Sequence, residues 1–173
     1  MVAFLFRAGS GTPGDVTRPA NSTVESGFLN ESLLNIPVPT KFGAIVFRVD
    51  GPGQTEFVTT QSGFSADNYY GILVRMAPSV SGSLDQSFGG GVPNLDNVQG
   101  IGVQGYFNVF VADLETPIVR GGPVYLRVVA GGPGVNIGDL GGTLVVGETE
   151  LLPRAVWGVD GTDANQVTEI HIQ

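Results

Sequence analysis

The stretch IGVQGYFNVFVAD at residues 101–113, with PVYLRVVA at 123–130 shortly after it, decides the fold class. Both segments are apolar and rich in β-branched and aromatic residues, which is typical of strands. Glycine and proline at 121–123 supply a turn between them. We interpret 101–113 as one long strand or two short ones, and 123–130 as the next strand.

The same texture extends from residue 41 to the end of the sequence. Ile45, Phe47 and Val49 alternate along one face of GAIVFRV, and DGPG at 50–53 is a turn leading into a partner strand. The remaining segments of this kind are QTEFVTTQ at 54–61, NYYGILVRMA at 68–77, GTLVVGE at 142–148, RAVWGV at 154–159 and VTEIHI at 167–172. No segment has a convincing helical period. The pattern predicts an all-β domain, a single sandwich or barrel-like unit of seven to nine short antiparallel strands.

Residues 1–40 have a different composition and are predicted to form an extended N-terminal arm. An apolar tip, VAFLF at 2–6, precedes glycines at 9, 11 and 14, which we interpret as a hinge. Such arms become ordered on a neighbouring molecule. The residues expected to bind that partner are Val2, Phe4, Leu5, Phe6 and Arg7. The β domain then occupies 41–173, with a long exposed Gly/Ser-rich loop at about 79–99.

The three glycines also match G-x-G-x-x-G, the outline of a dinucleotide-binding loop. That motif requires a helix directly after it, so that amides at the helix N-terminus face a pyrophosphate. Pro19 interrupts any such helix, and Glu31 lies in a segment that does not end a second strand. We therefore expect no nucleotide cofactor.

The composition argues against several classes of partner. Sixteen acidic and eight basic residues give a formal charge of −8, which repels phosphate backbones, so nucleic acid is not expected to be a partner. The absence of cysteine excludes disulfides and thiolate chemistry and suits a reducing compartment. No apolar run is long enough for a membrane span, and residues 1–6 lack the features of a signal peptide.

Few residues could carry chemistry. His171, the only histidine, lies in a terminal strand that we expect to place it on the same face as Val167 and Glu169, and there is no G-x-S-x-G serine for a triad. Asp160, Asp163 and Asn165 could hold a cation, but a turn in which these side chains bond their own backbone explains them better. We expect no catalytic residue, no metal and no cofactor.

Three segments resemble the structural cement, or head decoration, proteins of tailed bacteriophages. They are YYGILVRM at 69–76, GYFNVFVADLETPIVRGGPVYLRVV at 105–129 and RAVWGVDGTDANQVTEIHI at 154–172. They match a strand of the form F-x-G-I-x-x-R, a strand leading through a glycine turn into V-Y-x-x-V, and a terminal hairpin. The sequence departs from the family at RGGP (120–123), where glycine followed by aspartate is common, and in the loop at 79–99.

The resemblance implies a small non-enzymatic β protein on the outer surface of the virion, assembled in the bacterial host cytoplasm. It implies a homo-oligomer, a trimer or in some relatives a dimer, that ties neighbouring major capsid protein subunits together. An oligomer that bridges several subunits multiplies weak contacts through effective concentration.

Two other functions remain open at the level of the sequence. A carbohydrate- or receptor-binding module of a phage tail or fibre would expose aromatic residues in a groove, for which Tyr69, Tyr70, Tyr106 and Trp157 are the candidates. For Trp157 we favour a core position, because its neighbours are apolar. A small hydrolase with an unmarked carboxylate pair is the other alternative.

Overall fold

The computed structural model describes residues 11–29, 41–51, 54–60, 63–75, 97–113, 117–131 and 135–173. Within these ranges the chain forms nine strands and two single-turn 3₁₀ helices, at Pro19–Asn21 and Ala66–Asn68. The strands are β1 (Thr23–Leu29), β2 (Ile45–Gly51), β3 (Gln54–Thr59), β4 (Tyr69–Val74), β5 (Asn97–Asp113), β6 (Pro123–Arg127), β7 (Leu140–Gly141), β8 (Thr149–Trp157) and β9 (Val167–Ile172). The predicted all-β, barrel-like fold is confirmed.

The strands close into two rings that share β5. The N-terminal ring has the order β1-β3-β2-β4-β5 and closes by pairing β5 with β1; the C-terminal ring has the order β5-β7-β6-β8-β9 and closes by pairing β9 with β5. Two contacts, β1–β3 and β5–β7, are parallel, whereas the sequence predicted antiparallel strands throughout. Closure removes most of the free sheet edges that would otherwise recruit other chains.

Strand β5 spans 17 residues and changes ring near its middle. Up to Gln104 it pairs with β1, and from Gly105 onward it pairs with β9. Gly105 has a φ of +118°, and a Cβ there would lie 2.2 Å from the Ser22 hydroxyl oxygen. Only glycine fits both this backbone angle and this close approach.

Each ring encloses its own apolar cluster. All five strands of the N-terminal ring contribute one residue each to the first: Leu29, Val46, Phe57, Leu73 and Ile101. The larger cluster fills the C-terminal ring around Phe107, Leu126, Leu152, Trp157 and Ile170. It continues over the opposite face of β2 and β4, where Ile45 and Ile72 are buried. β2 is therefore buried on both faces at Ile45 and Val46, and not on the single face that its alternation predicted.

Residues 11–22, which we call the strap, run along one edge of β5. The Asn108 amide donates to the Asp15 carbonyl, the Gly14 amide donates to the Asn108 carbonyl, and the Thr17 amide donates to the Tyr106 carbonyl. The Gly14 carbonyl also accepts from the amide of Arg75, just after β4. The strap is thus bonded to both rings.

The strap and β1 differ from the extended arm predicted for 1–40. Gly14 is buried and has two backbone hydrogen bonds, so it is a fixed point and not part of a hinge. Thr23–Leu29 is a strand of the N-terminal ring, although its first four residues are exposed. Gly27 makes this packing possible, because a Cβ at that position would lie 2.4 Å from the Phe57 ring. Residues 1–10, with Gly9 and the tip, and residues 30–40 lie outside the described residues.

The structure also differs from the prediction in two segments further along the chain. GTLVVGE at 142–148, predicted as a strand, is a series of bends and turns between β7 and β8. Thr149 stabilises it, because its hydroxyl oxygen accepts a 2.8 Å bond from the Val145 amide. Of the predicted loop at 79–99, residues 97–99 belong to β5, and 79–96 lie outside the described residues.

Candidate partner-binding surfaces

The predicted partner-binding residues, Val2, Phe4, Leu5, Phe6 and Arg7, lie outside the described residues, which begin at Gly11. The strap is antiparallel to β5, with Val16 opposite Phe107, and a tight turn closed by the bond from the Asp15 amide to the Thr12 carbonyl then reverses the chain before Gly11. A Cβ on Gly11 would lie 2.7 Å from the Asn108 amide nitrogen. The described chain therefore begins beside Asn108 of β5.

A buried carboxylate holds the strap. Glu169 on β9 is almost fully buried, and its two oxygens accept bonds from the Thr17 hydroxyl at 2.5 Å and from the Arg18 guanidinium at 2.8 Å. A buried carboxylate is stable only when it is paired and hydrogen-bonded in this way. No local sequence pattern singles out Thr17 or Arg18, because their partner lies about 150 positions away in the chain.

Arg18 also covers an aromatic pair. Its guanidinium carbon lies 3.9 Å from the centroid of the Tyr106 ring. Tyr106 and His171 are opposite each other on β5 and β9, and their rings are stacked with centroids 4.1 Å apart and planes 1° apart. Cation–π and stacking contacts of this geometry are favourable. Tyr106 is consequently occupied by contacts within the chain.

A second polar contact joins β4 and β1 of the N-terminal ring. The Tyr70 hydroxyl donates a 2.5 Å bond to the Glu25 carboxylate, and the Tyr70 ring packs against Phe57 with centroids 5.1 Å apart. The bond to Glu25 raises the pKa of Tyr70, with a smaller contribution from burial. These residues, with Arg48 and Val98, line a shallow cleft of about 370 Å³.

Four exposed aliphatic side chains lie in or near the turn at 142–148. Val146 is 89% exposed, and Leu144, Leu151 and Val129 are each about half exposed. The Val128 and Val129 amides both donate to the Glu148 carbonyl, which places the end of β6 against this turn. We call Val129, Leu144, Val146 and Leu151 the apolar rim. The apolar run LVV at 144–146 is visible in the sequence after a glycine turn, but its prediction as a strand concealed that these side chains are exposed.

The aromatic residues considered for ligand binding do not form a groove. Trp157 is 1% exposed, which agrees with its predicted core position, and Tyr69 is also buried. The two remaining tyrosines are on different rings, Tyr70 against Phe57 and Tyr106 between Arg18 and His171. No flat ring is left facing solvent among these four residues.

In the turn at 160–166, Asp163 bonds the backbone of its own turn as predicted, whereas Asp160 bonds another segment. The Asp163 carboxylate accepts from the amides of Asn165 and Val167 at 2.9 and 2.8 Å. The Asp160 carboxylate accepts from the Arg120 amide at 2.8 Å, which ties this turn to the segment before β6. Among the described residues, no group of three acidic or histidine side chains could hold a metal ion.

Comparison with known proteins decides the family. A family model described as "Structural cement protein (E217 gp24/Pam3 gp6)", of phage cement proteins, matches residues 5–173. The chain belongs to this family. The match includes both rings, the strap and the end of the apolar tip, so the cement protein's family assignment rests on nearly the whole chain. Membership gives it a structural role in a phage particle.

A solved structure supports the fold of the cement protein. A chain in the structure "The capsid of Myoviridae Phage XM1" is similar with a TM-score of 0.60 and 15% sequence identity, over 99% of the cement protein and 95% of that chain. No curated protein matches the sequence. In the described parts of the cement protein, no helix is long and apolar enough to cross a membrane.

Proposed function

We propose that this cement protein is a non-enzymatic decoration protein that binds the outside of a phage head and bridges neighbouring major capsid protein subunits. The observation that carries the proposal is the family match over residues 5–173. The protein acts in the virion, on the outer capsid surface, after folding in the host cytoplasm. Its net charge of −8 supports a protein partner over nucleic acid.

Bridging requires more than one contact per particle. We propose a homo-oligomer, a trimer or alternatively a dimer, in which each copy contributes one arm. The arm residues Val2, Phe4, Leu5, Phe6 and Arg7 contact the capsid protein in this arrangement. Burial of two phenylalanines supplies about 3–6 kcal/mol before the cost of ordering the arm. Several such contacts in one oligomer give stable attachment even when each is weak.

Stripped, expanded phage heads provide the test. Purified cement protein should bind them and raise the temperature at which they rupture, in proportion to occupancy, because a ligand of the intact shell stabilises that shell. A variant lacking residues 1–10 should stay folded, since the strap begins after them, and should bind heads more weakly. Analytical ultracentrifugation of the two proteins gives the oligomeric state and shows whether the deletion changes it.

The result that would overturn the proposal is equally specific. If the intact protein does not bind expanded heads but binds a polysaccharide or a cell-surface receptor, it is an adhesion module. The structure offers no observation in favour of that alternative, because the four candidate aromatics form no exposed groove. Unaltered head binding by the shortened variant would remove the arm from the contact while leaving the decoration role in place.

A further inference from the structure

One arginine in β8 has an unusual backbone angle. Arg154 has a φ of +59°, in the left-handed region that favours glycine. It lies in a bulge, because residues 151–156 of β8 lie opposite only residues 123–125 of β6. Bulges redirect side chains, and strain at a residue other than glycine is often tied to a role of its side chain. The bulge therefore makes the Arg154 guanidinium a candidate for such a role.

The Arg154 side chain is held in place, but its donors are not used. Its guanidinium carbon lies 5.3 Å from the centroid of the Tyr69 ring, which is itself buried. Arg154 is nevertheless exposed, and no acceptor within the described residues bonds its guanidinium. An arginine carries five N–H donors in a rigid fork that matches the geometry of a carboxylate. The fold therefore presents an oriented cation that lacks an anion.

A carboxylate in the same situation lies on the neighbouring element. Asp67 is exposed in the 3₁₀ helix Ala66–Asn68, which ends directly before Tyr69. This helix is tied to β8, because the Ala66 amide donates a 2.7 Å bond to the Glu150 carboxylate. In the part of the chain that the structure describes, no donor reaches the Asp67 carboxylate. Asp67 and Arg154 thus form one patch, which we call the charged patch, with one unpaired charge of each sign.

The charged patch is complementary to itself. A surface that carries both signs can bind a second copy, with the cation of one copy against the anion of the other. The net charge of −8 makes separate copies repel one another, so an interface between them benefits from a local pairing of opposite charges. Leu151 of the apolar rim lies on the same strand as Arg154 and is 53% exposed, which adds apolar area beside the charges.

We propose that the charged patch is a contact between copies of the cement protein, in which Arg154 pairs with Asp67 of the partner subunit. The inference rests on the homo-oligomer proposed above and names its interface. Each copy contributes one cation and one anion, so the pair forms twice in a two-fold dimer and three times in a closed trimer. The bulge in β8 and the Tyr69 ring hold the guanidinium in position for this pairing.

Charge reversal tests the pairing, with the dissociation constant of the oligomer measured by analytical ultracentrifugation. Arg154→Glu and Asp67→Arg should each raise that constant at least tenfold, the factor that corresponds to about 1.4 kcal/mol, because each brings two like charges together. The double variant Arg154→Glu/Asp67→Arg should restore association, because the pair forms again with its charges exchanged. Lys41→Glu is the matched control and should leave the constant unchanged, since Lys41 is also an exposed cation near an aromatic ring, 5.6 Å from the Phe110 centroid.

The neutral variants Arg154→Gln and Asp67→Asn give a second measurement that does not depend on the reversed charges being tolerated by the fold. Each should weaken association, and the two together should weaken it no more than either one alone, because both remove the same pair. Unchanged association of the single variants, or additive losses in the double variant, would overturn the proposal. So would a monomeric parent protein, which would also remove the homo-oligomer. No phage head is used, so these results are separate from the test of head binding.

Discussion

The guanidinium of Arg18 lies 3.9 Å from the centroid of the Tyr106 ring, so the strap is fastened to the sheet by a cation–π contact as well as by backbone bonds. The same guanidinium pairs with the nearly buried Glu169 at 2.8 Å. One side chain therefore joins the N-terminal strap to both β5 and β9. This arrangement leads to the first prediction.

Arg18→Ala should lower the free energy of unfolding by about 1–2 kcal/mol, because Glu169 loses its charged partner and Tyr106 loses its cation, while the part-exposed position limits the loss. Hydrogen exchange should also become faster at the Gly14, Thr17 and Asn108 amides, because these amides donate the bonds between the strap and β5. Arg120→Ala is the control, since Arg120 bonds Asp160 through its backbone amide. An unchanged exchange rate at Thr17 would mean that Arg18 does not hold the strap.

Gly105→Ala should destabilise the protein by more than about 3 kcal/mol, since the new methyl group meets Ser22 and the backbone has a φ of +118°. Gly121→Ala separates the two causes, because Gly121 has a φ of +75° but open space around it. That variant should lose only about 1 kcal/mol. Urea denaturation of both proteins measures the difference, and equal losses would contradict the steric explanation.

Tyr69→Phe should raise stability at pH 7 by about 1 kcal/mol. The Tyr69 hydroxyl is buried with no hydrogen-bond partner among the described residues, and an unsatisfied buried group is costly. The Phe ring retains the contact with Arg154, whose guanidinium carbon lies 5.3 Å from the ring centroid. Tyr69→Ala is the comparison, because it also removes the ring and should destabilise by about 3–5 kcal/mol.

The same residue predicts a dependence on high pH. Burial raises the pKa of Tyr69 above its ordinary value of 10.0, so the folded state binds this proton more tightly than the unfolded state. The free energy that the raised pKa contributes to folding is fully present below pH 10 and is lost as the pH rises through the raised pKa of Tyr69. Thermal melts from pH 8 to 11 should fall less steeply for Tyr69→Phe than for the parent protein. Parallel curves would show that Tyr69 does not titrate in this range.

Asp163→Ala should cost about 2–3 kcal/mol, because the carboxylate accepts two backbone bonds at a buried position. Asp160→Ala should cost less, since Asp160 is exposed and its bond to the Arg120 amide joins two turns. A chelator should leave the melting temperature of the parent protein unchanged. A drop of 10 °C or more, about the shift expected from losing several kcal/mol, would restore the cation interpretation of this turn.

The sequence predicted those parts of the fold whose signal is local. The segments containing β2, β4 and β9 were found because apolar residues dominate short runs bounded by turn residues. β1 was missed because Thr23–Ser26 is exposed, and it is a strand only through Gly27 packing on Phe57 and pairing with β5. GTLVVGE was assigned a strand for its valines, but Gly147, with a φ of +81°, turns the chain there.

The same distinction between local signals and contacts of distant segments applies to the candidate sites. The turn bonds of Asp163 and the buried position of Trp157 follow from near neighbours, and both predictions are confirmed. The pairing of Arg18 with Glu169 joins opposite ends of the sequence, so no local pattern could indicate it. The partner role of Val2, Phe4, Leu5, Phe6 and Arg7 stays a prediction.

The sharing of β5 between two rings also constrains how the protein is made. During synthesis, the N-terminal ring cannot close until β5 has left the ribosome, although its other four strands emerge much earlier. The C-terminal ring must then wait for β9, so in the nascent chain the edge of β5 that pairs with β9 at 105–110 stays open. Such open strands are prone to aggregation, and pairing between distant segments is slow. Expression yield should therefore depend on the rate of translation between β5 and β9.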